Sequence, residues 1–269
     1  MSDRKGLAAV TGASSGIGAT FARHLAARGY DLLLIARRAE RLLDLARTLE
    51  SNYPVRAEVL VADLTSEPDL VPLEQRLAED PRLEILVNNA GFGTMGKFFE
   101  APLSGQDSMH RLHVMATVRM THAVLPGMVE RRKGAVINVS SVAGFAQSPG
   151  NVSYCATKRW MNSFSEGLHL EMKSIGSPVR IQALCPGFTY SEFHDVMGVE
   201  RSRIPKSWWM SSEDVVAESL RGLDEGKWLV IPGRRYRIYV WFMKRLPQSL
   251  MHSLAIRAGA RFRQKKDPQ

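Results

Sequence analysis

In the stretch "NVSYCATKRW" (residues 151–160) a tyrosine precedes a lysine by four positions. On a helix, positions i and i+4 share a face, so Tyr154 and Lys158 would stand side by side. A free phenol has a pKa of about 10 and is a poor proton acceptor near neutrality. A nearby ammonium favours the phenolate and lowers that pKa. A tyrosine tuned in this way can give or take a proton at a carbonyl or alcohol oxygen. The pair alone fits equally a tyrosine lying over a lysine stem on a surface helix, so its meaning depends on the elements that hold it.

Those elements alternate. Apolar runs at 7–11, 31–36, 56–62, 84–91, 134–141, 179–187 and 227–232 are separated by helical patterns, one of which carries Leu42, Leu45, Ala46 and Leu49 on a single face. Short Val/Ile/Leu-rich strands between amphipathic helices predict βαβ units and a parallel sheet. "TGASSGIG" (11–18) ends the first strand and opens a helix. Its glycines let the backbone turn tightly and approach a pyrophosphate seated on the helix N-terminus. After the second strand come Arg37 and Arg38, with no carboxylate at the strand tip. An arginine there accommodates an adenosine 2′-phosphate, whereas an acid would bind the ribose hydroxyls, so the expected cofactor is NADP(H). The same two arginines also fit solvated first-turn residues.

The bulk numbers narrow the class. A chain of 269 residues, 45% of them hydrophobic, can bury a full core. The two cysteines, Cys155 and Cys185, make no disulfide framework, and the chain reads as cytoplasmic, with no signal peptide. No apolar run reaches the ~18 residues of a membrane span. The net charge of +9 resides in the tail: Arg234–Gln269 holds ten Lys/Arg and one acid, while the body holds 26 of each sign. A neutral body argues against nucleic acid as a partner. No Cys/His/Asp spacing suggests a metal.

Taken in order, "TGASSGIG", "NNAG" (88–91), Ser141, "YCATK" (154–158) and "CPGFT" (185–189) resemble the short-chain dehydrogenase/reductase family over roughly residues 5–232. The resemblance implies a Rossmann-type doubly wound α/β fold with a seven-stranded parallel sheet, and a homodimer or homotetramer. It implies a domain over 1–233, followed here by a basic C-terminal helical extension over 234–269. Gly12, Ser14, Ser15, Gly16, Ile17 and Gly18 resemble the pyrophosphate turn. Asp63 and Leu64 resemble the contact to adenine, and Asn89, Ala90 and Gly91 the segment along the adenosine ribose. Pro186, Gly187, Phe188 and Thr189 resemble the wall of the nicotinamide. Ser141, 13 positions before Tyr154 and chosen over Ser140 for that separation, would bind the substrate oxygen. Tyr154 would be the acid/base, and Lys158 would bind the nicotinamide ribose and depress the tyrosine pKa. In one place the chain departs from the pattern: where the family has an Asn, "LHVMAT" puts His113. A histidine can donate and accept like that Asn. It can equally be a packed helix residue, with a backbone carbonyl carrying the proton relay.

The segment "SEFHDVMGVERSRIPKSWWM" (191–210) carries Phe193, Val196, Met197, Trp208, Trp209 and Met210, adaptable apolar groups that suit a bulky carbonyl or alcohol. Trp208 and Trp209 fit core or interface packing as well. In the tail, Tyr236, Val240 and Met243 form one stripe. After Pro247, Leu250, Leu254 and Ala258 are read as one helical face, and Arg257, Arg261 and Lys265 as lining another. Packing on the body or on a second copy is the expectation, with peripheral membrane contact as the alternative. The activity expected is NADP(H)-dependent hydride transfer to a carbonyl. A non-catalytic NADP(H)-binding sensor or scaffold is the rival, since fold does not fix function.

Overall fold

The computed structural model describes residues 5–193, 202 and 204–263. Val196, Met197 and Lys265 lie outside the described residues, as do the side chains of Ala258 and Arg261. The first half alternates β1 (Leu7–Thr11), α1 (Gly16–Ala27), β2 (Asp31–Ala36), α2 (Ala39–Asn52), β3 (Ala57–Val61), α3 (Glu67–Glu79) and β4 (Leu83–Asn88). Helix α4 (Leu103–His110) then runs through a π-helical turn, Arg111–Ala116, into α5 (Thr117–Glu130). There follow β5 (Ala135–Val139), α6 (Val152–Ser174), β6 (Arg180–Leu184), α7 (Ser212–Asp224), β7 (Leu229–Val230), α8 (Arg234–Met243) and α9 (Gln248–Arg263).

The seven strands form one sheet in the order β3-β2-β1-β4-β5-β6-β7, every pair parallel. Strand β1 shows why both faces must be covered. Ala8 and Val10 join the layer beneath α1, α2 and α7, with Phe21, Leu45 and Val216. Leu7 and Ala9 join the opposite layer beneath α3, α5 and α6, with Leu73, Met120 and Met172. A strand buried on both faces reads as a continuous apolar run. The expected stripe on α2, from Leu42 to Leu49, is buried.

Strands β4, β5 and β6 end two or three residues earlier than the apolar runs suggested, at Asn88, Val139 and Leu184. The residues left over (Asn89–Gly91, Ser140–Ser141 and Cys185–Gly187) leave the sheet at its carboxyl edge. One polar feature crosses the core. Asn88 Nδ2 donates to Asn138 Oδ1 at 2.8 Å and to Thr121 Oγ1 at 3.1 Å. Asn138 Nδ2 in turn donates to Ser165 Oγ at 2.9 Å.

Helix α8 packs back on the body through Tyr236 and Val240, both buried. Its outer face leaves Ile238, Trp241 and Phe242 exposed, and on α9 Leu250 and Leu254 are each 45% exposed. Among the described residues no helix is long and apolar enough to cross a membrane.

Candidate active site

One continuous cleft of about 2040 Å³ follows the carboxyl edge of the sheet, from Arg38 at the tip of β2 to Leu254 on α9. Its centre lies where the strand order reverses between β1 and β4, the place where open α/β sheets bind ligands.

The nucleotide half is built from the turn after β1. Gly12 has φ +64°, and a Cβ there would meet Asn89 Nδ2 at 2.8 Å and Ala90 Cα at 2.9 Å. Thr11 Oγ1 accepts the amide protons of Asn89 and Ala90 at 2.9 and 3.0 Å, and Asn89 Nδ2 donates to the Thr11 carbonyl at 2.9 Å. Asn89 therefore lines the cleft with Ala90 and Gly91 while its amide pins the turn to β4. Ser15, at the N-cap of α1, makes no side-chain capping bond. That leaves the helix end, beside Gly16 and Ile17, as a cradle for an anionic group. Gly18 lies deeper, buried within α1.

Asp63 and Leu64 line the cleft beside Arg37. Burial works to raise the Asp63 carboxyl, but bonds from the Thr65 amide and hydroxyl and the charge of Arg37, 3.7 Å away, hold it below its usual range. Arg37 and Arg38 part company. Arg37 is largely exposed toward Asp63, whereas Arg38 donates to Ser14 Oγ at 2.9 Å and Ser15 Oγ at 2.8 Å, directly over the turn. Two residues the sequence reading did not single out complete this corner. Arg41, on the first turn of α2, and Arg38 both pair with Glu192. The turn and the uncapped helix end together fit a dinucleotide.

The reacting half brings Ser141, Tyr154 and Lys158 to the middle of the cleft. Ser140 is not an alternative to Ser141: its hydroxyl is buried and donates to the Lys158 carbonyl at 2.9 Å. Ser141 Oγ accepts from the Ala143 amide at 3.1 Å and shares a hydrogen bond with Tyr154. Lys158 is 4% exposed, and its Nζ donates to the Val139 carbonyl at 2.8 Å. Pro186, Gly187 and Phe188 line the opposite wall with Thr189, whose hydroxyl donates to the Gly187 carbonyl at 3.1 Å. The Phe188 amide donates to Tyr236 Oη at 2.8 Å, so α8 supports that wall.

The lowered tyrosine pKa expected from the i, i+4 spacing is not what this geometry produces. Burial pushes the Tyr154 phenol up to about 12, against a lowering bond with Ser141. Burial likewise brings the Lys158 ammonium down to about 8. Lys158 Nζ sits 5.8 Å from the tyrosine ring centroid and is bonded to Val139 instead. Desolvation therefore outweighs charge attraction at this distance, and Tyr154 rests as a protonated acid.

His113 lies within the π-helical turn, a distortion common at functional sites. Thr157 Oγ1 donates to the Tyr154 carbonyl at 3.0 Å, so it accepts from His113 Nδ1–H at 3.0 Å. His113 Nε2 then accepts the Phe92 amide proton at 3.2 Å. Both ring nitrogens are engaged, which leaves neither to hold a relay water; the side chain positions α6 against the loop after β4. Burial first, then the charges of Lys158 and His110, hold its pKa well below the usual 6.5. The unfolded chain thus binds a proton below pH ~6.5 that the folded chain refuses, so stability must fall with falling pH there. A His113→Asn variant is expected to flatten the wild-type loss between pH 7 and pH 5 by about 1–2 kcal/mol in urea titrations. An unchanged acid slope would mean that His113 is charged in the fold.

The other half of the cleft is mainly apolar, with Arg159, Glu166, Lys244 and His252 also on its lining. Phe193 lies 5.7 Å from the Tyr154 ring, and Ile204, Trp208, Tyr239, Met243 and Met251 continue the lining. The two tryptophans divide: Trp208 faces the cleft, while Trp209 is buried and stacks on Tyr190 at 5.0 Å. Met210 pairs with Thr189 through a bridge and packs on the core rather than lining the cleft. Among the described residues no cluster of His, Cys, Asp or Glu could hold a metal.

The short chain dehydrogenase family matches residues 6–199. A very-long-chain 3-oxoacyl-CoA reductase of Anas platyrhynchos is 35% identical over 193 residues, 70% of this chain and 61% of the relative. The inactive hydroxysteroid dehydrogenase-like protein 1 of Homo sapiens is 36% identical over 66% of this chain and 54% of its own length. The match thus spans less than two thirds of these relatives. A solved short-chain dehydrogenase from Sphingobium yanoikuyae in complex with NADPH is 36% identical and superposes with a TM-score of 0.81, covering 90% of this chain and 97% of that one. With the glycine turn, the serine, the tyrosine and the lysine each at its place along one parallel sheet, the chain belongs to the short-chain dehydrogenase/reductase family of oxidoreductases.

Proposed function

We propose that the protein is an NADP(H)-dependent carbonyl reductase acting on bulky, largely apolar ketones. The observation that carries this is the position of the protonated Tyr154 phenol, bonded to Ser141 between a nucleotide cradle and an apolar chamber. A bound nicotinamide supplies the hydride, which no side chain can. The chain's own residues handle the proton. Ser141 orients the carbonyl oxygen, and Tyr154 Oη–H donates to it as negative charge develops. The Lys158 ammonium, held by Val139, offsets the phenolate left behind. The phenol is in its acid form at neutral pH, the form that a proton donor requires.

Arg38 above Ser14 and Ser15 supports NADP(H), as does the NADPH complex of the Sphingobium relative. The apolar chamber and the very-long-chain substrate named for the Anas relative support a long or bulky ketone. The test follows NADPH oxidation against a panel running from small polar ketones to a long-chain 3-oxoacyl thioester. Turnover should rise along the panel, and Arg38→Ala should lower the preference for NADPH over NADH at least tenfold, roughly the worth of one charge-assisted bond. An unchanged cofactor ratio would refute the NADP(H) assignment, and a preference for small polar ketones would refute the apolar one. The sensor reading has the inactive human relative in its favour; it predicts tight NADPH binding without turnover anywhere on the panel.

A further inference from the structure

Glu192 follows Thr189–Tyr190, which are anchored to Met210 by the Tyr190 amide at 3.0 Å. From that anchor the chain lies across the glycine turn: a Cβ on Gly16 would meet the Ser191 Cβ at 2.9 Å. Glu192 then reaches the far side of the nucleotide cradle. One carboxylate oxygen accepts from Arg38 Nη1 at 2.8 Å, the other accepts from Arg41, and Ser15 bonds to the same group. Arg38 is held in turn by Ser14 and Ser15. This is a built anion site: two guanidinium groups converge with serine hydroxyls at the tip of β2. Its occupant is a carboxylate of the same chain, 151 residues from Arg41.

We propose that Glu192 is a specificity-determining residue that occupies the 2′-phosphate position of the nucleotide site and must be displaced by a phosphate before that nucleotide can engage Arg38 and Arg41. The inference rests on the NADP(H) reading of this corner. Its physical basis is a competition between two anions for one pair of guanidinium groups. A carboxylate brings one negative charge and two acceptor oxygens; a phosphate monoester brings nearly two charges and three. The phosphate therefore wins, but only by the difference. A nucleotide without the 2′-phosphate leaves Glu192 in place and gains nothing from Arg38 or Arg41.

Calorimetric titration of the full-length protein with adenosine 2′,5′-bisphosphate and with 5′-AMP tests this without turnover. Glu192 is 43% exposed, so Glu192→Gln should fold normally. Exposed ion pairs are individually weak, so removing the competitor should tighten the bisphosphate about fivefold and leave 5′-AMP unchanged. A weaker or unchanged bisphosphate affinity would overturn the proposal, since Glu192 would then be ordering the arginines or doing nothing. Equal tightening of both ligands would overturn it too, as a general charge effect. Failure of the NADP(H) reading is distinguishable: wild type itself would then bind the bisphosphate no better than 5′-AMP, and Arg38→Ala would change neither.

Discussion

Tyr154→Phe should lower turnover about a thousandfold, within the 10²–10⁴ range of a positioned general acid, and leave the nucleotide affinity within about threefold of wild type. The phenyl ring keeps its contacts with His113 at 5.9 Å and Phe193 at 5.7 Å, so the cavity shape survives. Only the hydroxyl and its bond with Ser141 are lost, worth about 1 kcal/mol of stability. Single-turnover rates and a denaturation curve, measured together, separate the two effects. A variant keeping more than a tenth of its turnover would remove Tyr154 from the chemistry. Wild-type reduction should also slow above pH 8, because Lys158, brought down to about 8 by burial, loses there the charge that offsets a developing phenolate. The same depressed lysine makes folding stability rise with pH between about 8 and its unfolded value near 10.5, since the unfolded chain binds the extra proton in that window. Activity and stability should therefore move in opposite directions across it.

Gly187→Ala should have a large structural effect. Its Cβ would lie 1.9 Å from Tyr236 Cζ, inside the ring. Tyr236 would have to leave, breaking its bonds with the Phe188 amide and the Trp208 carbonyl. Overpacking and two lost hydrogen bonds together predict a loss of about 3 kcal/mol. Displacing Phe188 should also weaken NADPH binding about tenfold. The cause is steric and has one partner, so the substitution should cost less than about 1 kcal/mol when made in a Tyr236→Ala background. Additive losses in urea titrations of the four proteins would mean that the ring is not what the methyl strikes.

The elements and the reacting residues were legible because they are local. Continuous apolar runs mark buried parallel strands, and the glycine turn and the tyrosine–lysine spacing are each read within a few positions. What stayed hidden depends on contacts between distant segments. The spacing revealed the lysine beside Tyr154 but not the burial that reverses the expected pKa direction. The chemistry of His113 suggested a relay, and only the fold supplies Phe92 and Thr157 as its partners. Arg38 was visible at the end of β2, whereas Glu192 comes from 154 residues away. Tyr236 looked like one member of a tail stripe, and its role under Gly187 appears only when α8 folds back.

The buried amide of Asn138 bears on how the chain finds this arrangement. Strands β4 and β5, "LEILVN" and "AVINV", are apolar on both faces, so an in-or-out pattern says little about how far one slides along the other. Asn88 stands directly beside Asn138 in the ladder, and their side chains bond only in that alignment. A slipped pairing would keep its greasy contacts but strand two amides in a dry interior. The amides thus act as an indexing mark that favours this one alignment of β4 on β5.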